Sequence, residues 1–241
     1  MFLPDHYDVR QKYPTLYLLH GFGGNHTNWS QRTQLVDYLK NIPLIVVMPD
    51  AENSWYVNSP FKTQDRFEDY LVTDIPRYIQ ENYSVDTSRQ AIAGLSMGGY
   101  GALVIALRHP HRFQFVGALS GALTFTRELD DTTHPIGRLI AASLKRMNSQ
   151  TTADLRAFNH EHDVFELFAL HKRDTTQYFY LTVGIQDSFR EFLPIHRELT
   201  DSLRAWNIPF EYHEMPGGHT WKFWDREIQP MLKRMRIVMN F

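Results

Sequence analysis

The residues best placed by type and spacing to do chemistry surround a serine. The stretch Ala91-Ile92-Ala93-Gly94-Leu95-Ser96-Met97-Gly98-Gly99-Tyr100-Gly101 sets Gly94-x-Ser96-x-Gly98 between an apolar strand-like run and an apolar helix-like run, the context that a nucleophile elbow requires. A serine on a tight strand-to-helix turn has a strained backbone, and the residues two before and two after it must be small because they press on each other and on the neighbouring strand. Its hydroxyl then stands at the C-terminal edge of a sheet and at a helix N-terminus, whose dipole favours developing negative charge. The competing reading is a helix capped by Ser96 and packed closely through glycines.

A serine hydroxyl is a poor nucleophile at neutral pH and needs a base within hydrogen-bond reach, itself oriented by an acid. Twelve histidines compete for that role. In an α/β-hydrolase order the acid follows the serine and the histidine comes last, each on a loop beyond the C-terminal end of a strand. This selects His219, in Met215-Pro216-Gly217-Gly218-His219-Thr220-Trp221, after the final strand-like run and before the final helical pattern. His213 falls inside the strand, His196 inside a helical pattern, and His109 and His111 flank Pro110 at a helix end, where capping and solvation are the default. For the acid, Asp187 follows the run Tyr178–Gly184 by three residues, with Glu191 in reserve. Asp163, Asp174 and Asp201 suit a solvated surface better. Acyl transfer also needs donors for a tetrahedral oxyanion. The Met97 N–H, just after the serine, supplies one, and the glycine-rich turn Leu18-Leu19-His20-Gly21-Phe22-Gly23-Gly24 offers the Phe22 N–H as the second. His20 reads as a structural residue that hydrogen-bonds this loop.

The elements that must position these groups follow from periodicity. Apolar, β-branched or aromatic runs at Thr15–Leu19, Pro43–Met48, Gln90–Leu95, Phe115–Ser120, Tyr178–Gly184 and Phe210–Met215 predict strands buried on both faces. Between them, Trp29, Leu35 and Leu39 mark one helix; Phe67, Leu71, Ile75 and Ile79 mark a second, which Pro76 should kink. Ala102–Leu107 predicts a helix buried on most sides. Leu199, Leu203 and Trp206 mark a later helix, and Trp221, Trp224, Ile228, Met231, Met235 and Val238 the last. Strand alternating with helix predicts a mostly parallel sheet wrapped on both faces. Residues 121–177 break the rhythm, with helix-like pieces at Ile136–Met147 and Val164–Leu170 but no strand. They predict a helical, lid-like insertion in what is otherwise one domain spanning 1–241.

Composition narrows the partners. The 241 residues carry 25 Lys+Arg against 27 Asp+Glu, a formal charge of −2, so no basic footprint for nucleic acid exists. No apolar run reaches the length of a membrane span. The absence of cysteine excludes a thiolate nucleophile, a disulfide framework and a Cys-based zinc site. The start, Met1 to His6, does not read as a signal peptide, which predicts a cytoplasmic protein, with secretion open if the native chain begins further upstream. In His160-Glu161-His162-Asp163 the two histidines would point about 200° apart on a helix, so a solvated face is expected rather than a metal site. No phosphate loop or dinucleotide fingerprint is present, and no cofactor is expected.

Together, Tyr13 to Gly24, Met48 to Tyr56, Asp86 to Ala102 and Gly217 to Trp221 with Trp224 resemble the esterase D-like branch of the α/β-hydrolases. That branch includes S-formylglutathione hydrolases, feruloyl and acetyl-xylan esterases, tributyrin-type esterases and antigen 85 mycolyltransferases. The resemblance implies an α/β-hydrolase fold and a serine carboxylesterase acting on small-molecule or carbohydrate-linked esters, with feruloyl, acetyl or short-chain acyl groups. It also implies Ser96 as nucleophile, Asp187 as acid, His219 as base, and Phe22 and Met97 as oxyanion donors, in agreement with the choices made from the residues. An acyltransferase or an S-formylglutathione-type thioesterase would use the same triad, and a non-catalytic binding module of the same fold is the reading from another class. Family members often carry Asp where Thr220 stands, and usually have strand residues before a segment similar to Phe2–Tyr7, so the family's first hairpin is expected to be missing or shortened. Trp55 and Trp221 are the expected substrate contacts; Trp55 reads equally as a core aromatic, and Trp224, at helical spacing from Trp221, reads more as core than as pocket.

Overall fold

The computed structural model describes residues 1–59, 64–126, 158, 160–172 and 175–241. Six strands, β1 (Tyr13–Leu19), β2 (Ile45–Val47), β3 (Val85–Leu95), β4 (Phe115–Leu119), β5 (Tyr178–Gly184) and β6 (Phe210–Met215), form one sheet in the order β2-β1-β3-β4-β5-β6. Every strand pair is parallel. This is the expected α/β architecture, and the strand-like runs account for all six strands. The chain moves outward from β1 to β2, jumps back over β1 to β3, and then proceeds to β6. The order therefore reverses between β1 and β3, the place where ligands bind in open α/β sheets because the flanking loops diverge there.

The strand periodicity of two sorts the core into layers. Tyr17 and Leu19 pack on one face with Ile92 and Val116, whereas Leu16 and Leu18 pack on the other with Ala91 and Ala93. The first face is covered by α4 (Ile75–Asn82), α5 (Met97–Arg108), α6 (Val164–His171) and α7 (Phe192–Ala205); the second by α1 (Asn28–Arg32), α2 (Leu35–Tyr38) and α8 (Trp221–Met239). Met97 through Leu107 of α5 are all buried. A short helical piece, α3 (Phe67–Asp69), precedes α4. No described helix is long and apolar enough to cross a membrane.

Several expectations change in detail. The pattern at Trp29, Leu35 and Leu39 is not one helix: Thr33 is extended, at φ −134° and ψ 170°, and separates α1 from α2. Its hydroxyl donates to the Trp29 carbonyl and accepts from the Leu35 N–H, and this local bonding competes with the helical ladder. Pro76 lies in the first turn of α4, preceded by a π-helical turn at Tyr70–Asp74 that adapts the helix to the proline. Strand β6 is half-exposed along its length because it is the sheet edge, not a strand buried on both faces. It carries Glu214, paired with Arg197 at 2.6 Å, and Glu211, paired with Arg234, charges that protect an edge from further pairing. Near the first residue Phe2 makes an isolated antiparallel bridge to Val46. Asp163 is buried rather than solvated: it caps α6 by accepting the Phe165 and Glu166 N–H groups at 2.9 and 3.0 Å, and takes the Thr126 hydroxyl at 2.7 Å. His160 is exposed, but His162 is buried against Phe158 at 4.2 Å, so only half of that cluster is a solvated face. Ile136–Met147 and Asp174 lie outside the described residues.

His196 of α7 is fully buried. Its Nδ1–H donates to the Phe192 carbonyl at 2.6 Å and its Nε2 is unpartnered among the described residues. Burial, opposed only in part by that hydrogen bond, pushes its pKa from 6.5 down to about 4. The unfolded chain binds this proton first on acidification, so the stability it confers is complete above the unfolded value and is lost as pH falls towards the folded one. Burial lowers His20 and His162 in the same sense. Replacing His196 with Leu should therefore make the fall in Tm between pH 7 and pH 5 shallower than in the wild type. Parallel Tm-versus-pH curves would contradict this.

Candidate active site

Ser96 sits between β3 and α5 with φ 53° and ψ −118°, a conformation unusual for a residue with a side chain. Three backbone hydrogen bonds hold it there: its N–H donates to the Leu119 carbonyl at 2.9 Å, and its own carbonyl accepts from Tyr100 and Ala122 at 3.1 Å. The glycines make the turn possible. A Cβ on Gly94 would lie 2.5 Å from the Gly98 backbone and 2.8 Å from Leu19 Cβ, and one on Gly98 would lie 2.5 Å from the His20 carbonyl oxygen. The Ser96 side chain makes no helix-capping bond. It donates instead to His219 Nε2 at 2.9 Å, which disfavours the reading of a merely capped helix.

The other face of the His219 ring meets Asp187. Nδ1–H donates to Asp187 Oδ2 at 3.0 Å, and Asp187 Oδ1 accepts the Phe189 N–H at 2.9 Å. The Asp187 side chain is 2% exposed and that of His219 12%. Phe189, Phe192 and Trp224 meet the imidazole near-perpendicularly, with centroids 4.8, 5.4 and 4.9 Å away, so the ring has little freedom to turn. The two loops also lock to each other. Gln186 N–H donates to the Gly217 carbonyl at 2.9 Å, Gly217 N–H to the Gln186 side chain at 2.5 Å, and a Cβ on Gly184 would lie 2.3 Å from the Gly217 oxygen. Thr220 caps α8 by accepting the Phe223 N–H, which keeps the helix start in place.

Phe22 lines the same cavity as Ser96, and Met97 follows the serine in the chain. Met97 is the first residue of α5, so its N–H has no partner within the helix. The loop carrying Phe22 is held from several sides. Gly24 N–H closes a turn on the Gly21 carbonyl at 3.0 Å, and Gly23, at φ 72°, donates to Asn53 Oδ1 at 2.6 Å. His20 is structural here: Nδ1–H donates to the Gly21 carbonyl at 2.8 Å, and Nε2 accepts the Ala51 N–H at 3.1 Å. Burial favours its neutral form, on which that acceptor role depends. Tyr56, fully buried, donates its hydroxyl to the His20 carbonyl at 2.8 Å.

A cavity of about 330 Å³ opens over Ser96 and His219, walled by Phe22, Trp55, Phe192 and Trp221 among others. Trp55 belongs to both core and wall. It is 3% exposed and stacks on Phe125 at 4.1 Å, yet it borders the cavity. Trp55 and Tyr56 are consecutive residues with positive φ, at 55° and 63°, a strained pair that turns one ring to the cavity and the other to the His20 loop. Trp224 borders the cavity too but is mainly core. Of the other candidates, His213 pairs with Glu211 at 2.7 Å on the sheet edge and His109 with the buried Glu68 at 2.8 Å. Among the described residues no group of His, Cys, Asp and Glu gathers to hold a metal. Phe189, Phe192, Asn28 and Arg32 also line the cavity and are not singled out by the sequence; for the two phenylalanines the available signal is their position two and five residues after Asp187.

A parallel sheet with an elbow serine at its switch point defines the α/β-hydrolase fold. Residues 1–235 match the family model described as "Putative esterase", and the chain belongs to that esterase family. An acetyl esterase of Caldicellulosiruptor saccharolyticus is 29% identical over 231 residues, 94% of this chain and 84% of that protein. The esterase Rv1288 of Mycobacterium tuberculosis is 29% identical over 246 residues, 91% of this chain but 52% of its own length, so the chain spans about half of that relative. Among solved structures, an S-formylglutathione hydrolase from Agrobacterium tumefaciens superposes with a TM-score of 0.79 at 22% identity, over 96% of this chain and 86% of that one.

Gly94→Ala drives a methyl group into backbone. It should destabilise the fold by about 1–3 kcal/mol and, by displacing Ser96, lower activity further than the lost folded fraction explains, as thermal unfolding and esterase assays on one preparation would reveal. Full activity in the folded variant would contradict the glycine argument.

Proposed function

We propose that the chain is a serine carboxylesterase working through an acyl-enzyme, with Ser96 as nucleophile, His219 as general base and acid, Asp187 as orienting acid, and the Phe22 and Met97 N–H groups as oxyanion donors. The observation that carries this reading is the hydrogen-bonded line from Asp187 through His219 to Ser96, at 3.0 and 2.9 Å, ending on the cavity wall. In the first step Ser96 Oγ attacks the ester carbonyl while its proton passes to His219 Nε2. Phe22 and Met97 N–H bind the tetrahedral oxyanion, and His219 then gives the proton to the departing alcohol oxygen. In the second, water loses a proton to His219, attacks the acyl carbon, and the Ser96 oxygen leaves with the returned proton. Asp187 holds the imidazole in the tautomer that presents Nε2 to the serine and stabilises the imidazolium formed at each attack.

The whole chain serves as one catalytic domain in this reading, with residues 121–177 as an insertion. Aromatic walls and a cavity of about 330 Å³ favour small acyl esters, acetyl or feruloyl in type. The acetyl esterase among the relatives agrees with that size class.

Ser96→Ala should reduce kcat/KM on nitrophenyl acetate by at least about 10⁴-fold with Tm retained; full activity would refute the mechanism. Trp55→Leu should lower the rate on a feruloyl ester several-fold more than on an acetyl ester, whereas an unchanged ratio would remove Trp55 from the pocket.

A further inference from the structure

The cavity holds a charged group that the hydrolytic reaction does not use. Among its described lining residues only His219 and Arg32 can carry a positive charge, and none of those described is a carboxylate. Asp187 is already committed to His219 and to the Phe189 N–H. Arg32 is exposed at the rim, and no described carboxylate pairs with it; its contact is with the Trp221 ring, 5.8 Å from the centroid. In a chain of formal charge −2, this mouth is locally positive.

The fold holds that charge in place. Trp29, the second residue of α1, is 1% exposed, donates Nε1–H to the Leu19 carbonyl at 2.9 Å, and meets Trp221 edge-on at 5.6 Å. With α1 pinned by this residue, Asn28 and Arg32, four apart, share one helix face, and both line the cavity. The Asn28 side-chain oxygen accepts the Asn25 N–H at 3.2 Å, which leaves its amide N–H₂ to donate beside the guanidinium. Two donors, one of them a planar cation, suit a carboxylate better than a sugar, because the guanidinium already covers the Trp221 face on which a sugar ring would stack.

The side of the ester follows from proton transfer. His219 protonates the leaving oxygen, so the leaving group lies against His219. From that ring outward come Trp224, centroid 4.9 Å away, then Trp221, 5.3 Å from Trp224, and then Arg32 over Trp221. Phe22 and Trp55, 5.9 Å apart, also line the cavity, and the acyl portion is assigned to them. We propose that Arg32, assisted by Asn28, forms an anion subsite that selects esters whose alcohol portion carries a carboxylate several bonds from the ester oxygen. The inference rests on the reading of Ser96 and His219 given above.

Matched substrates test it. With 3-(4-acetoxyphenyl)propanoate and its uncharged amide, the wild type should favour the carboxylate about fivefold in kcat/KM, the upper range for a solvent-exposed ion pair, mainly through KM. The preference should shrink as NaCl is raised. Arg32→Gln should bring the ratio close to one and Arg32→Lys should restore part of it, while phenyl hemiadipate and its amide, charged on the acyl side, should show no dependence on Arg32. A carboxylate preference unchanged in Arg32→Gln, or an Arg32 dependence found only in the adipate pair, overturns the subsite and leaves the triad standing. If the wild type hydrolyses none of the four esters, the esterase reading fails and the subsite falls with it.

Discussion

The rest of the site depends on one strained turn. At Ser96 the chain leaves β3 and enters α5 within a single residue of positive φ, which is possible only because Gly94 and Gly98 touch each other and Gly98 touches the end of β1. That contact fixes the distance between the serine loop and the loop after β1. Tyr56 and His20 then tie the β1 loop to the segment after β2, so the two N–H groups proposed for the oxyanion hang from neighbouring strands of one rigid sheet. Preorganised donors of this kind do not reorganise when charge develops, and this is where much of the stabilisation of an acyl-transfer transition state originates.

On the other side of the serine, position comes from packing and charge together. Interlocked loops after β5 and β6 bring Asp187 under His219, and three aromatic rings enclose the imidazole. A nearly buried carboxylate is costly unless its oxygens are satisfied. Here one oxygen takes the imidazole and the other the Phe189 N–H, so both carboxylate oxygens of Asp187 are satisfied in an apolar setting. At the rim, α1 is held by Trp29 against Trp221. The aromatic core of this face thus continues into the cavity wall without a break, and the proposed anion subsite sits where that wall meets solvent.

What was legible in the sequence was what burial dictates locally. Strands buried on both faces read as continuous apolar runs, and Ser96 is recognisable because close packing leaves only glycine at the positions beside it. Asp187 and His219 follow from the order of loops once the strands are known. The parts that were not legible depend on distant partners. Nothing local tells that Gln34 N–H will bond Asp225, 191 residues away, in the break that separates α1 from α2. The edge exposure of β6 depends on sheet order, a property of the whole chain. His162 and Asp163 read as surface because their burial depends on Phe158 and Thr126. Arg32 carries no motif, and its place at the cavity emerges only when α1 docks on α8.

Under the proposed mechanism Ser96 alone among the chain's serines forms a covalent bond with an acyl-like electrophile. The direct measurement is intact-mass and peptide mass spectrometry after treatment with a fluorophosphonate at neutral pH. One adduct per chain is expected, located on Ser96 and absent when His219 is replaced by Ala. An unmodified protein, or an adduct on another residue with Ser96 free, would contradict it.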